Sequence, residues 1–180
     1  MSEYKIVSDT HFYHQKALEF GTRNFKTVED MNEHIIKVWN ENISLTDKVI
    51  HLGDFAFGDD LDAIENIIKR LNGNITLILG NHDTAKKVRE LYTRYFKCLG
   101  GMSKGKYYFT HEPVHSSVIN PDQFRTTGRQ ASINIHGHLH NNDIENLDYP
   151  DKDKYINCCL DVCGIDNFIK TLYIGDKDDK

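Results

Sequence analysis

The chain has 180 residues, of which 39% are hydrophobic and 27% are charged, and its formal net charge is −5. This composition is typical of a globular protein and excludes a disordered or fibrous one, and no apolar run reaches the length that a membrane span requires. The negative charge argues against nucleic-acid binding through a broad basic surface, because such binding depends on Lys and Arg side chains that neutralise phosphates.

Alternating strands and helices are predicted in the first half of the chain. Strands are expected at residues 3–8, 48–52 and 75–79, and the third is expected to be apolar throughout and buried on both faces. A Thr-x-x-Asp capping pattern that begins at Thr27 predicts the start of the first helix. The apolar faces of the two helices between these strands are Val28, Met31, Ile35, Val38 and Trp39 in the first, and Leu61, Ile64, Ile68 and Leu71 in the second.

The second half of the chain is predicted to be mostly strand. After a helix at about residues 84–92, strand-like runs occupy residues 107–110, 132–136, 155–160 and 169–174. The length suffices to bury one hydrophobic core, so we expect a single domain over residues 1–180.

Neither an export signal nor a cysteine framework is indicated. The N-terminus lacks a basic region followed by an apolar stretch, so a cytoplasmic location is expected. Cys98, Cys158, Cys159 and Cys163 match no paired zinc pattern and no disulfide framework. We therefore predict reduced thiols, most of them buried.

Polar side chains follow five of the predicted strands at the point where each strand ends. In an open α/β sheet the carboxyl ends of the strands converge on one crevice, so these side chains are expected to meet there. In chain order the groups are Asp9 and His11, then Asp54, then the run Asn81-His82-Asp83, then His111, and last the pair His138 and His140.

This set of side chains predicts a metal site. Carboxylate and imidazole together suit borderline divalent ions such as Mn²⁺, Fe²⁺ or Zn²⁺ better than Mg²⁺ or Ca²⁺. This many carboxylate, imidazole and amide groups are too many for one tetrahedral ion but suit two neighbouring ions that share a carboxylate. A single Asp-x-His or Gly-Asp motif is more often a turn or a helix cap, so the prediction depends on all of the motifs together.

In this order the motifs resemble those of the calcineurin-like metallophosphoesterase superfamily, in its small stand-alone bacterial and phage form. The resemblance covers residues 5–140 directly and implies an α/β fold of two packed mixed β-sheets flanked by helices, which is the four-layer sandwich of that family. It implies two metal ions with one shared ligand. The residues that it assigns are Asp9, His11, Asp54 and His140 to one ion, and Asp54, Asn81, His111 and His138 to the other.

The same resemblance implies a hydrolase. It implies that a hydroxide bridging the two ions attacks a phosphodiester, with His82 as a catalytic residue beside the leaving group and Asp83 as the acid that orients it. Mn²⁺ is the expected metal, with iron, zinc or nickel as alternatives.

The expected partner is a small phosphorylated substrate, such as a nucleotide or cyclic nucleotide, because no cap domain is expected that would enlarge the pocket. A long polynucleotide is disfavoured by the net charge of −5 and by the lack of an aromatic stacking platform with basic residues. A phosphomonoester stays open as an alternative, and so does nucleic acid, although it is not favoured. From another class, a non-catalytic protein-binding module of the same fold is the alternative, and the complete ligand set argues against it. No membrane partner is expected, and no oligomeric state is predicted.

Five further residues are candidates for substrate binding. His14 either lines the pocket or begins a surface helix, and Arg23 either forks onto a phosphate or is an ordinary surface arginine. Residues 112–130 separate two of the metal ligands in sequence and are the candidate substrate lid. The candidates within this loop are His115, Arg125 and Arg129.

Overall fold

The computed structural model describes residues 1–119, 131–142 and 152–175, and these form two β-sheets with helices packed against them. The strands of the first sheet are β1 (Ser2–Val7), β2 (Lys48–His51), β3 (Asn74–Ile78), β4 (Lys97–Leu99) and β9 (Lys170–Ile174). Their order is β4-β3-β2-β1-β9, and only the β1–β9 pair of this sheet is antiparallel.

The second sheet packs against one face of the first. Its strands are β5 (Met102–Lys104), β6 (Tyr107–Phe109), β7 (Ile133–His136) and β8 (Tyr155–Asn157). They lie in the order β5-β6-β7-β8, with β5–β6 antiparallel and the other pairs parallel. Ile6, Ile50 and Ile78 of the first sheet share one buried cluster with Phe109 and Ile135 of the second. The predicted fold class, two packed mixed sheets with flanking helices, is therefore confirmed.

Three helices cover the other face of the first sheet, and they are α1 (Val28–Asn42), α2 (Leu61–Arg70) and α3 (Lys86–Tyr95). The Thr27 hydroxyl accepts the Asp30 amide at 3.1 Å, so the predicted cap begins α1. Val7 and Leu77 of the sheet belong to the same buried cluster as Trp39 of α1. Because successive strand residues face opposite sides, the central parallel strands are buried by helices on one face and by the second sheet on the other.

The structure departs from the sequence predictions in three places. Strands β4 and β5 were not predicted, since three residues are too few to display a period. In β3 only Leu77 and Ile78 are fully buried, and the strand begins with the exposed Asn74. The run predicted as a strand at residues 155–160 is a strand only to Asn157, because the chain then turns into a short helix, Leu160–Cys163.

The described residues also bear on the membrane and cysteine predictions. No helix within the described ranges is long and apolar enough to cross a bilayer. All four cysteines are free thiols, and Cys158 and Cys159 are buried whereas Cys98 and Cys163 are half-buried. The prediction of reduced cysteines agrees with this arrangement, although only two of the four are fully buried.

Candidate metal centre

The seven predicted ligands come together where β1, β2 and β3 of the first sheet and β6 and β7 of the second sheet end. Five of the seven have a left-handed backbone, with φ angles between 49° and 70°. Such a conformation costs about 1 kcal/mol or more for a residue with a Cβ, and it persists only where the surroundings impose it. The five are Asp9, His11, Asp54, His138 and His140.

The first cluster consists of Asp9, His11 and Asp54, whose ligand atoms lie within 4.8 Å of one another. The Nε2 atom of His11 is 3.8 Å from Asp9 Oδ1 and 3.7 Å from Asp54 Oδ2. This nitrogen is buried and has no hydrogen-bond partner in the described part of the chain. Burial, helped by the nearby charge of Arg23, lowers the pKa of His11 to about 2, so the imidazole is neutral and Nε2 offers a lone pair. A divalent ion would satisfy this orphaned atom.

The second cluster consists of Asp54, His111 and His138, again with ligand atoms within 4.8 Å of one another, and the Oδ1 atom of Asn81 joins it. That oxygen lies 2.9 Å from His111 Nε2 and 3.0 Å from His138 Nδ1. Nδ1 of His111 donates to the Leu52 carbonyl at 2.8 Å, which leaves Nε2 for the cluster. Burial lowers the pKa of His111, but the hydrogen bond to Asp54 and the charge of Asp9 outweigh this effect and raise the pKa to about 9. The cluster therefore attracts positive charge.

Asp54 belongs to both clusters. Its Oδ2 atom lies 3.7 Å from His11 Nε2 and 3.4 Å from His111 Nε2, so one carboxylate oxygen faces a ligand of each cluster. Burial alone would raise the pKa of Asp54, but the hydrogen bond from His111 outweighs it and holds the pKa well below its usual value. This geometry suits a bridging ligand between two cations.

His140 is oriented by a carboxylate that the sequence analysis did not identify. Its Nδ1 atom donates to Asp161 Oδ2 at 2.7 Å, which turns Nε2 away from that carboxylate. Arg23 grips the same carboxylate through Nε and Nη2, both at 2.8 Å. Burial would raise the pKa of Asp161, but these bonds hold it well below its usual value. The available signal was a single acid within the apolar run 158–163, since a carboxylate there needs partners.

Neither interpretation of Arg23 was correct. The side chain is 1% exposed, so it is not a surface residue, and its N–H groups are already occupied. Besides Asp161, they donate to the carbonyls of Asp9 and Thr10 at 2.6 and 2.9 Å, and more weakly to the Met31 sulfur. Arg23 therefore supports the turn after β1 from within the core, and no donor remains for a phosphate.

The two oxygens of Asp9 have different surroundings. Oδ2 accepts from the Ser8 hydroxyl, from the Cys159 thiol at 3.0 Å and from the His138 amide at 3.1 Å. Oδ1 is the atom nearer to His11, and it is therefore the one presented to the first cluster. A Cβ on Gly137 would collide with Asp9 Oδ2, so glycine is required at this contact.

His82 lies at the edge of the first cluster. Its side chain is 36% exposed, and its Nε2 atom is 3.9 Å from Asp54 Oδ2. The ring packs against His11 and Phe57, with centroids 5.6 and 5.4 Å away. The ring is thus beside the metal centre and open to a substrate.

Asp83 is fully buried. Within the described part of the chain, no hydrogen bond joins its carboxylate to the ring of His82. It accepts instead from the amides of Asp54 and Gly80, at 2.8 and 2.9 Å, and of Phe55 at 3.1 Å. Burial raises the pKa of Asp83 to about 6. Its contacts tie the turn after β2 to the turn after β3, so the expected role as the orienting acid of His82 is replaced by one in positioning Asp54.

The candidates for substrate binding fall into two groups. His14 lies beside the centre, with its Nδ1 atom 3.2 Å from His11 Nδ1 and its ring stacked on Phe57. His115 is exposed, and its Nδ1 atom accepts the Ser117 amide in a local turn. Arg125 and Arg129 lie outside the described residues, as does most of the predicted lid.

The sequence and the fold are both similar to those of known proteins. An uncharacterized protein of Methanocaldococcus jannaschii is 32% identical over 168 residues, which cover 90% of this chain and 84% of that protein. The Gene 66 protein of Mycobacterium phage D29 is 29% identical over 163 residues, covering 78% and 79%. The fold is similar to that of a protein of unknown function from Aquifex aeolicus, with a TM-score of 0.65 and 22% identity over 90% of this chain and 92% of the other. Residues 3–158 match the calcineurin-like phosphoesterase superfamily domain, and the chain belongs to this superfamily.

Proposed function

We propose that this protein is a phosphodiesterase that uses two divalent metal ions. The observation that carries the proposal is Asp54, whose Oδ2 atom faces His11 on one side and His111 on the other. The orphaned Nε2 atom of His11 and the strained backbone of five ligands support it further, because metal binding would offset both costs.

Each residue of the centre has a distinct role in this proposal. Asp9, His11, Asp54 and His140 would hold one ion, and Asp54, Asn81, His111 and His138 would hold the other. When bound, the two ions supply an activated water and positive charge for the phosphoryl oxygens. Hydrolysis of a phosphodiester forms a P–O bond to a water oxygen, releases one proton of that water to solvent, and breaks the P–O bond to the leaving group. His82 gives the leaving oxygen its proton and recovers one from solvent.

A diester is favoured over a monoester because a surface that could bind an organic group lies beside each of the two clusters. The exposed ring of Phe57 lies beside the first cluster, and a groove of about 410 Å³ begins at Asn81 and His111 of the second. A phosphodiester has an organic group on each side of phosphorus, whereas a monoester has one. Mn²⁺ is the proposed metal because the ligands combine imidazole with carboxylate and amide oxygen.

The test is hydrolysis of bis(4-nitrophenyl) phosphate by purified protein with Mn²⁺. We expect activity that a chelator abolishes and that Mn²⁺ restores. Asp54→Ala should abolish it because both ions lose a ligand, whereas Asp59→Ala, which removes an exposed carboxylate of the same loop, should not. Metal-stimulated activity in Asp54→Ala would contradict the proposal. Faster hydrolysis of 4-nitrophenyl phosphate than of the diester would favour a phosphomonoesterase.

A protein-binding module of the same fold is the rival from another class. Such a module would not need to bind metal, so the metal content of the purified protein distinguishes it from the enzyme. Elemental analysis after incubation with Mn²⁺ should give close to two ions per chain for the enzyme. The cytoplasmic location and the single domain over residues 1–180 remain predictions from the sequence.

A further inference from the structure

Two different surfaces flank the candidate metal centre. Beside the first cluster, the Phe57 ring is 43% exposed. It stacks on His14 with a centroid separation of 4.2 Å and an interplanar angle of 15°, and it lies 5.4 Å from the ring of His82. Because His82 is the proposed donor to the leaving oxygen, the Phe57 surface is the one that a leaving group would contact.

The groove beside the second cluster is polar. It begins at Asn81 and His111 and continues past Gly100, Tyr108 and Glu112. Its volume of about 410 Å³ lies within the range of small-molecule sites. The Tyr108 ring offers an aromatic surface, and Glu112 is an exposed carboxylate with hydrogen-bond acceptors only.

We propose that this groove binds the part of the phosphodiester that keeps the phosphate, and that this part is an uncharged nucleoside. The inference rests on the proposed function, since it assigns the two sides of the same reaction. A nucleobase can stack on Tyr108, and stacking on an aromatic side chain does not require a particular base. Glu112 accepts from ribose hydroxyl or base amino groups, and it repels a further phosphate.

The charge of Glu112 also limits the substrate's length. A polynucleotide would carry its next phosphate along the groove, towards this carboxylate, and the chain's formal net charge of −5 offers little compensation. The groove therefore selects a mononucleoside arm over an oligonucleotide. Phe57 makes no such distinction, because it faces the leaving group.

Three diesters with the same leaving group test the inference. They are methyl 4-nitrophenyl phosphate, thymidine 5′-(4-nitrophenyl phosphate), and the latter with an added 3′-phosphate. We expect kcat/KM with Mn²⁺ to be about tenfold higher for the thymidine ester than for the methyl ester, from stacking. The 3′-phosphorylated ester should be slower than the thymidine ester.

Variants on each side serve as controls for the other. Tyr108→Leu should bring the thymidine and methyl esters to the same kcat/KM. Glu112→Gln, at an exposed position, should raise the kcat/KM of the 3′-phosphorylated ester relative to that of the thymidine ester. Phe57→Leu should slow all three equally. Equal wild-type rates on all three esters, or ratios unchanged in both groove variants, would overturn the inference and leave the proposed function standing. No hydrolysis of any ester would overturn both.

Discussion

Several residues of the candidate metal centre have backbone conformations and environments that would be unfavourable without a bound ligand. Asp9 and Asp54 are buried carboxylates with left-handed backbones, and His11 has a buried nitrogen without a partner in the described chain. Asp and His tolerate the left-handed region better than branched residues do, which reduces the strain without removing it. The residues that hold this arrangement are Arg23 and Asp83, whose contacts go to the backbone of the turns.

At this scale Asp161 is expected to control metal binding through His140. Asp161→Asn keeps the shape of the side chain but weakens acceptance from Nδ1, so His140 is less firmly held with Nε2 towards the metal. We expect the affinity for Mn²⁺ or Co²⁺, measured by equilibrium dialysis, to fall about 10- to 100-fold. The ¹⁵N shifts of the His140 ring should show a mixture of tautomers in the metal-free variant.

A matched control is available on the same carboxylate. The Thr22 hydroxyl donates to Asp161 Oδ1 at 2.7 Å, away from His140. Thr22→Val removes this bond and should leave metal affinity within about twofold of the wild type, because the bond to His140 remains. An unchanged affinity in a folded Asp161→Asn protein would show that the carboxylate serves only the packing around Arg23.

Substitution of His82 tests catalysis separately from metal binding. Its ring lies edge-on to His11 and 3.9 Å from Asp54 Oδ2. Its backbone amide donates to Asp54 Oδ1 at 3.0 Å, and alanine keeps this amide, so His82→Ala should retain both ions. We expect kcat to fall by roughly 10²- to 10⁴-fold for an alkyl or nucleoside leaving group and by less for 4-nitrophenol, which needs little protonation. Equal losses for both leaving groups would remove the role as general acid, and loss of one ion would make His82 a ligand.

At the scale of elements, a helix or strand can be predicted from the sequence when its apolar repeat is long or when it carries a cap motif. The fifteen residues of α1 repeat their apolar positions over several turns and carry a cap at Thr27, and both could be predicted. Strands β4 and β5 are three residues each and have no such repeat. Because these strands were not predicted, the groove beside the second cluster could not be predicted either. Gly100, which lies between them, and Tyr108 on β6 form part of its wall.

The candidate site follows the same physical division. The clustering of the candidate ligands could be predicted because they occur in compact motifs of His, Asp and Asn at strand ends. Arg23 and Asp161 are 138 positions apart and meet only in the folded chain, so no local pattern connects them. A charged residue in an unremarkable loop, such as Arg23, is indistinguishable in sequence from a surface residue until its burial is known.

For the whole molecule, the candidate metal centre is where polar groups of the two sheets meet. Asp9 and Asp54 come from the ends of first-sheet strands and His111 and His138 from the ends of second-sheet strands, while apolar side chains fill the space behind them. Ions held by ligands from both sheets would therefore stabilise the packing of one sheet on the other. The metal-free protein must instead keep buried carboxylates and imidazoles together without a bridging cation.

Removal of metal should therefore lower the thermal stability of the whole chain. A ligand present at one hundred times its Kd adds about 2.7 kcal/mol to the free energy of unfolding. In a protein of this size that corresponds to a rise in Tm of roughly 5–10 °C. Thermal unfolding of chelator-treated protein with and without Mn²⁺ measures the shift, and Asp54→Ala should show a much smaller one because it lacks the shared ligand. An equal shift in the two proteins would mean that the stabilising ion binds away from Asp54.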